Sequence, residues 1–222
     1  MTRLAIFDCD GTLVDSQHNI CAAVEGAFAA AGLASPPRER IRDIVGLSLE
    51  PAMAALAPDT EPGVHRALAQ QYRARFQAMR AESVIDEPLF PGMTELLASL
   101  ADKGWKLGIA TGKSERGLSS CLATNKLGRS FCTMQTADRH PSKPDPAMLE
   151  AAIVEAKAQR DLTVMIGDTS YDMAMARAAG VRAIGVTWGS HDRARLLVAG
   201  ADHVVDEPDQ IRKLLERTDE RE

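Results

Sequence analysis

The sequence predicts a doubly wound, parallel α/β sheet with an all-helical lobe inserted after its first strand. Three observations predict it. Leu4-Ala5-Ile6-Phe7 is apolar at consecutive positions, as a strand buried on both faces of a parallel sheet requires. Beyond about residue 93, short apolar runs alternate with helical patterns, the order expected of parallel strands joined by crossover helices. Between residues 16 and about 84 no convincing strand pattern occurs.

The first strand is Leu4–Phe7. Ser16 suits the N-cap of a helix that ends near Gly32. Pro36-Pro37 opens a second helix ending near Gly46, and Leu49–Ala57 and Gly63–Glu82 complete four. The chain returns through Ile85–Gly92, rich in Pro, Asp and Gly. A helix at Met93–Ala101 leads to a strand at Lys106–Ala110 and a less regular one at Phe131–Thr136. Ala147–Ala158 is helical, Leu162–Ile166 a strand and Met173–Ala179 a helix. The strand Arg182–Thr187, helix His191–Val198, strand His203–Val205 and helix Asp209–Glu216 follow. Gly104, Gly180 and Gly200 mark helix stops. The charged tail Arg217–Glu222 is expected to fray. The chain thus divides into a Rossmann-like core, residues 1–15 and 85–222, and a helical cap, residues 16–84.

Composition fits this division. The 222 residues suffice for a core and a smaller lobe. Hydrophobic residues make up 45% but aromatics only 4%, so much of the core must come from Ala and aliphatic side chains, which favours close-packed helices over a β-sandwich. A net charge of −5 argues against nucleic acid as a partner. No apolar stretch is long enough to span a bilayer, and the first apolar run is expected to be a strand rather than a signal segment. Cys9, Cys21, Cys121 and Cys132 form no Cys-x-x-Cys pair. They read as reduced thiols of a cytoplasmic protein.

Four motifs carry the chemistry. Asp8-Cys9-Asp10-Gly11-Thr12 ends the first strand. Residues two apart on a strand share a face, so Asp8 and Asp10 can converge while Cys9 turns away and Gly11 lets the chain bend. Two crowded carboxylates repel unless a divalent cation neutralises one and a proton on the other lets it act as an acid. Taken alone, such acids also cap ordinary turns. Ala110-Thr111-Gly112-Lys113 ends the second core strand, where a hydroxyl and adjacent N–H groups can meet an anion. In His140-Pro141-Ser142-Lys143-Pro144-Asp145-Pro146, three prolines brace one Lys, and Asp145-Pro146 suits the start of the next helix. Gly167-Asp168-Thr169-Ser170-Tyr171-Asp172 follows the strand Leu162–Ile166. Asp172 could simply complement the helix dipole there. With the first pair, however, Asp168 and Asp172 suit a magnesium site of oxygen ligands and retained waters. Three of the four motifs lie at carboxyl ends of strands, where open α/β sheets place their ligands.

The ordered set Asp8-x-Asp10-Gly-Thr, Thr111, Lys143 and Gly-Asp168-x-x-x-Asp172 resembles the haloacid dehalogenase superfamily over nearly the whole chain. The segment Asp8 to Ser16 is similar to its phosphoglycolate phosphatase-like branch, and the helical insert resembles that superfamily's small cap. The resemblance implies that Asp8 attacks phosphorus to form an aspartyl-phosphate. Asp10 would protonate the leaving oxygen and then deprotonate water. Thr111 would hold a phosphoryl oxygen, and Lys143 would offset charge on Asp8 and the phosphoryl group. Magnesium would bind Asp8, the backbone carbonyl of Asp10, and Asp168, with Asp172 in support.

Dehalogenases of this superfamily lack the second Asp, and phosphonatases replace it, so Asp10 argues for phosphate esters. A sugar phosphomutase keeps Asp10 and stays open as an alternative, as does a catalytically silent binding protein. A signalling receiver domain gathers similar groups but is shorter and has no helical insert. The expected substrate is a small phosphorylated, phosphoglycolate-like metabolite. Candidates to contact it are Gly11, Gly112, Lys113 and, within the segment Val45-Gly46-Leu47-Ser48-Leu49 that resembles the family's specificity loop, Gly46, Leu47 and Ser48. Arg38, Arg40 and Arg42 could greet an anion but suit a solvated face better. Arg66, Arg73, Arg75 and Arg80 read as surface charge.

Overall fold

The computed structural model describes residues 2–82 and 84–219. The first apolar run forms β1 (Leu4–Phe7), and four helices follow: α1 (Gln17–Ala30), α2 (Arg38–Asp43), α3 (Leu49–Leu56) and α4 (Pro62–Ala81). The chain then alternates through α5 (Met93–Asp102), β2 (Lys106–Thr111), α6 (Glu115–Thr124), β3 (Thr133–Thr136), α7 (Ala147–Ala156) and β4 (Thr163–Gly167). It ends with α8 (Ser170–Ala179), β5 (Arg182–Val186), α9 (Arg193–Ala199), β6 (His203–Val205) and α10 (Pro208–Asp219).

All strands pair in parallel, in the order β3-β2-β1-β4-β5-β6. This is a Rossmann-type order. The strand period of two divides β1 between the faces. Ala5 and Phe7 join the core under α5, α6 and α10, while Leu4 and Ile6 join the core under α7, α8 and α9. The chain leaves β1 toward β2 on one side, and β4 lies on the other. The crevice between the ends of β1 and β4 is therefore the topological switch point, where such sheets bind ligands.

The lobe has its own apolar core, built from residues such as Val24, Phe28, Ile41, Met53 and Leu68. Its two connections to the sheet are tied to each other. Asp15 N–H donates to the Pro88 carbonyl, Phe90 N–H donates to the Leu13 carbonyl, and Val14 bridges Leu89. Among the described residues, no helix is long and apolar enough to cross a membrane.

Some element ends differ from the sequence reading. α6 was not expected, because it holds few apolar residues; only Leu118, Cys121 and Leu122 are buried in it. Its start is nonetheless fixed by Ser114, whose hydroxyl accepts from Gly117 N–H. β3 begins at Thr133 rather than Phe131, although Phe131 still reaches the core. α8 starts at Ser170 rather than Met173, because Thr169 and Asp172 form a reciprocal capping box. α7 stops at Ala156, with Lys157 in the left-handed conformation. α9 begins at Arg193, where the Asp192 carboxylate caps Arg195 N–H. α10 continues to Asp219, so the first residues of the expected frayed tail are helical; residues 220–222 lie outside the described residues.

Candidate active site

Asp8 immediately follows β1, and its N–H continues the sheet by donating to the Ile166 carbonyl (2.9 Å). The side chain is 1% exposed. Oδ1 accepts from the Cys9 N–H (2.6 Å) and lies 3.0 Å from the Lys143 ammonium, whereas buried Oδ2 has no partner. Cys9 turns away as expected, its Sγ packing 3.9 Å from the Cys121 sulfur.

Lys143 is fully buried and lies 2.7 Å from Asp172 Oδ1 as well. Burial opposes its charge, but Asp172 and Asp8 outweigh that and hold its pKa above the usual lysine range. Its loop leads into α7, where the Asp145 carboxylate accepts from Ala147 N–H although Pro146 occupies the N-cap position.

Asp168 follows β4 and is equally buried. Thr12 Oγ1 donates to its Oδ1 and the Ser190 N–H to its Oδ2, each at 2.8 Å. Oxygen atoms of Asp8, Asp168 and Asp172 all lie within 4.8 Å of one another. Burial, with Asp172 adding repulsion, pushes Asp168 up to about 6 against its bonds from Ser190 and Thr12. Burial pushes Asp8 up to about 8, against the pull of Lys143 and with the other acids adding to it. A pocket of three buried carboxylates with one orphaned oxygen fits a hard divalent cation with oxygen ligands.

Asp10 contributes no side-chain oxygen to that cluster. Its Oδ1 accepts from Ser16 Oγ (2.5 Å) and from Lys113 Nζ (2.6 Å). The four acids therefore divide into a trio and a separate Asp10. Ser16 stands at the N-cap of α1 as expected, but its hydroxyl serves Asp10 rather than the helix. Lys113 also contacts Glu87 Oε1 (2.9 Å), so it sits between two carboxylates.

Asp8, Asp10, Thr111, Gly112 and Lys113 line a cavity of about 520 Å³ together with cap residues, including Gly46, Leu47 and Ser48. The cap loop rests on the core. Ser48 N–H donates to Ser142 Oγ at 2.8 Å. A Cβ on Gly112 would come within 2.6 Å of the Gly46 and Leu47 carbonyl oxygens, so only glycine allows this approach. Gly11 has φ +81° and lies against the Asp168 carboxylate rather than in the cavity wall.

Of the arginines, Arg38 pairs with Glu25 and Arg40 donates to the Ala55 carbonyl, both away from the cavity. Arg73, though exposed, and Arg80 do line it, and Arg80 reaches Glu87 (3.5 Å), so Arg80 is more than surface charge. Thr12 and Ser16 stood within the segment Asp8 to Ser16 without the roles the structure gives them, and Glu87 and Ser190 were not picked out from sequence. Ser190 follows the end of β5, so the strand-end rule that found Asp168 also points to it. Glu87 gave no signal, lying in an irregular segment.

A family model described as haloacid dehalogenase-like hydrolase matches residues 5–186. The chain belongs to that family. This hydrolase is 37% identical over 212 residues to "Probable phosphatase IndB" of Dickeya dadantii, covering 93% of this chain and 90% of that protein. It is 32% identical over 223 residues to phosphoglycolate phosphatase 1 of Pseudomonas aeruginosa, covering 99% and 81%. Among solved structures, a hydrolase from Pseudomonas syringae superposes with a TM-score of 0.85 at 27% identity, covering 97% of this chain and 99% of that one. The sheet, the inserted helices and the expected family are thereby borne out. The hydrolase is a phosphatase, a phosphoric monoester hydrolase.

Proposed function

We propose that this phosphatase is magnesium-dependent and cleaves its substrate through an aspartyl-phosphate on Asp8. The observation that carries the reading is the Asp8 carboxylate itself. One oxygen is held by the Cys9 N–H and Lys143, and the other is buried without a partner beside Asp168 and Asp172. Such an oxygen is costly unless a cation or a phosphoryl group meets it.

Asp8, Asp168 and Asp172 would hold the cation, with the Asp10 carbonyl as a further oxygen. When bound, the cation supplies positive charge that steadies the carboxylates and the phosphoryl oxygens. The Asp8 carboxylate forms a bond to phosphorus as the ester P–O bond breaks. Lys143 stays beside Asp8 and balances charge during this exchange, and Thr111 positions a phosphoryl oxygen. Asp10 gives its proton to the leaving alcohol. It then takes a proton from water, which attacks phosphorus, releases phosphate and frees Asp8. Ser16 and Lys113 both bond Oδ1 of Asp10, which leaves Oδ2 to give and take the proton.

The relatives' names make phosphoglycolate-like metabolites the reference class for the substrate. Four free thiols suit a reducing cytoplasm. Phosphate release from an alkyl phosphate, followed with magnesium, with chelator, and after magnesium is restored, tests the reading. Activity should vanish in chelator and return with magnesium. Full activity in chelator sinks the metal assignment.

A further inference from the structure

Resting on the phosphatase reading, we infer that the substrate is a phosphate monoester whose alcohol carries an uncharged, ring-sized aromatic body, larger and less anionic than glycolate. The cavity above Asp8 holds about 520 Å³. That lies within the range of about 300–1,000 Å³ typical of sites for drug-sized ligands. A two-carbon acid would leave most of it to water.

The wall beyond the phosphate site is apolar and aromatic. Ile20, Ile44, Leu47, Met53, Tyr72 and Phe76 line it, contributed by all parts of the cap. Tyr72 and Phe76 stand one turn apart on α4, with ring centroids 5.6 Å apart, and present a continuous aromatic surface. Burial first, then Asp10 and Glu87 against Lys113, hold the Tyr72 phenol neutral. Aromatic side chains recognise rings by offset stacking and edge contacts.

The two cations that lie against Phe76 are already paired with carboxylates. Lys113 bridges Asp10 and Glu87, and Arg80 contacts the other oxygen of Glu87. Both cations lie over the Phe76 ring, at 5.8 and 5.7 Å. A second substrate carboxylate that reached for Lys113 or Arg80 would have to displace these pairs. The other cationic lining residues, Arg73 and Arg116, are exposed. A buried polar group without a partner on this wall is Ser48 Oγ in the cap loop; the other polar lining side chains Glu50, Gln77 and Ser114 lie toward its more exposed parts. One hydroxyl beside an apolar wall suits an uncharged body bearing few polar atoms.

Three primary-alcohol phosphates test this with the wild-type protein and magnesium: ethyl phosphate, phenethyl phosphate and phosphoglycolate. The leaving groups of the first two are nearly matched, so their ratio reads the ring alone. The expected kcat/KM for phenethyl phosphate exceeds that for ethyl phosphate on the order of tenfold or more, with phosphoglycolate no better than ethyl phosphate. Phe76→Leu and, separately, Tyr72→Leu should each shrink the ring's advantage. Faster turnover of phosphoglycolate, or no gain from the ring, overturns the inference while leaving the phosphatase reading intact. Turnover of none of the three removes that reading and the inference with it.

Discussion

Asp8 and Asp10 stand two residues apart yet have unlike neighbours, and the difference sets what each can do. Asp8 lies among Lys143, Asp168 and Asp172, whereas Asp10 is held by Ser16 and Lys113. Asp8→Asn should abolish both turnover and phosphoenzyme formation. Asp10→Asn should keep the nucleophile but lose the proton donor, so its defect should shrink on aryl phosphates, whose leaving groups need little protonation. Rates over a series of leaving groups check this; equal penalties across the series for both variants contradict the roles. A second consequence concerns pH. The ordinary value for Asp8 is 3.8, and burial pushes it up to about 8 in the fold. The metal-free fold therefore binds this proton more tightly than the unfolded chain. The stability it gives is fully present below about pH 4 and is lost as pH rises toward about 8. Asp168, pushed up to about 6, acts in the same direction. In chelator the melting temperature should fall across this window, and magnesium should restore most of the loss at its upper end. Asp8→Asn should make the profile shallower, leaving the part that Asp168 contributes. A melting temperature that rises with pH in chelator would refute the assignment. Asp8, Asp168 and Lys143 were legible because each sits at a strand end or in a braced loop. The partnership of Asp10 with Lys113 and Glu87 was not, because it joins segments remote in sequence.

The loop between α2 and α3 governs how the cap meets the core. Gly112→Ala would drive a methyl group into the Gly46 and Leu47 carbonyls. The loop must then lift from the core, and kcat/KM should drop by on the order of 10- to 100-fold, as small misplacements in a reacting site do. Gly63 in α4 is the matching control. A Cβ there meets nothing within 4 Å, so Gly63→Ala should leave activity unchanged and add about 0.5–1 kcal/mol of stability. Equal behaviour of the two variants in activity and thermal melting would show that loop seating is irrelevant. Bulky replacements at Leu47 or Ser48 should reorder substrates while magnesium dependence persists; an unchanged order would count against the loop as a reader. Elements were legible where apolar residues formed an unbroken run, as in β1, or a dense apolar face, as in α7. They were missed where polar residues hid it, as in α6, whose Ser, Thr and Gly content masks the stripe Leu118, Cys121, Leu122.

At the scale of the molecule, the cap is seated on the core by contacts both beside the cavity and beyond it. The last residue of α2, Asp43, is held from three directions. Its carboxylate pairs with Arg195 (2.7 Å), while its carbonyl accepts from Tyr171 Oη (3.1 Å) and lies 3.2 Å from His191 Nε2. Ser48 N–H on Ser142 and the close approach at Gly112 complete the seating. A cap seated this way is expected to lift for substrate to enter and phosphate to leave, and the paired crossings at Asp15 and Pro88 offer a hinge. Asp43 and Arg195 are both exposed, so Asp43→Cys with Arg195→Cys places two accessible thiols across the seam. Cys9, Cys21 and Cys121 are buried, and exposed Cys132 can be replaced by Ser. A short, cleavable bis-maleimide should then lock the cap down. The locked protein should lose at least about tenfold in turnover, as expected where lid motion gates each cycle, and regain it when the linker is cleaved. Modification with a monofunctional maleimide should leave most activity, separating closure from damage at the two positions. Undiminished turnover by the locked protein would show that substrate reaches Asp8 without cap opening.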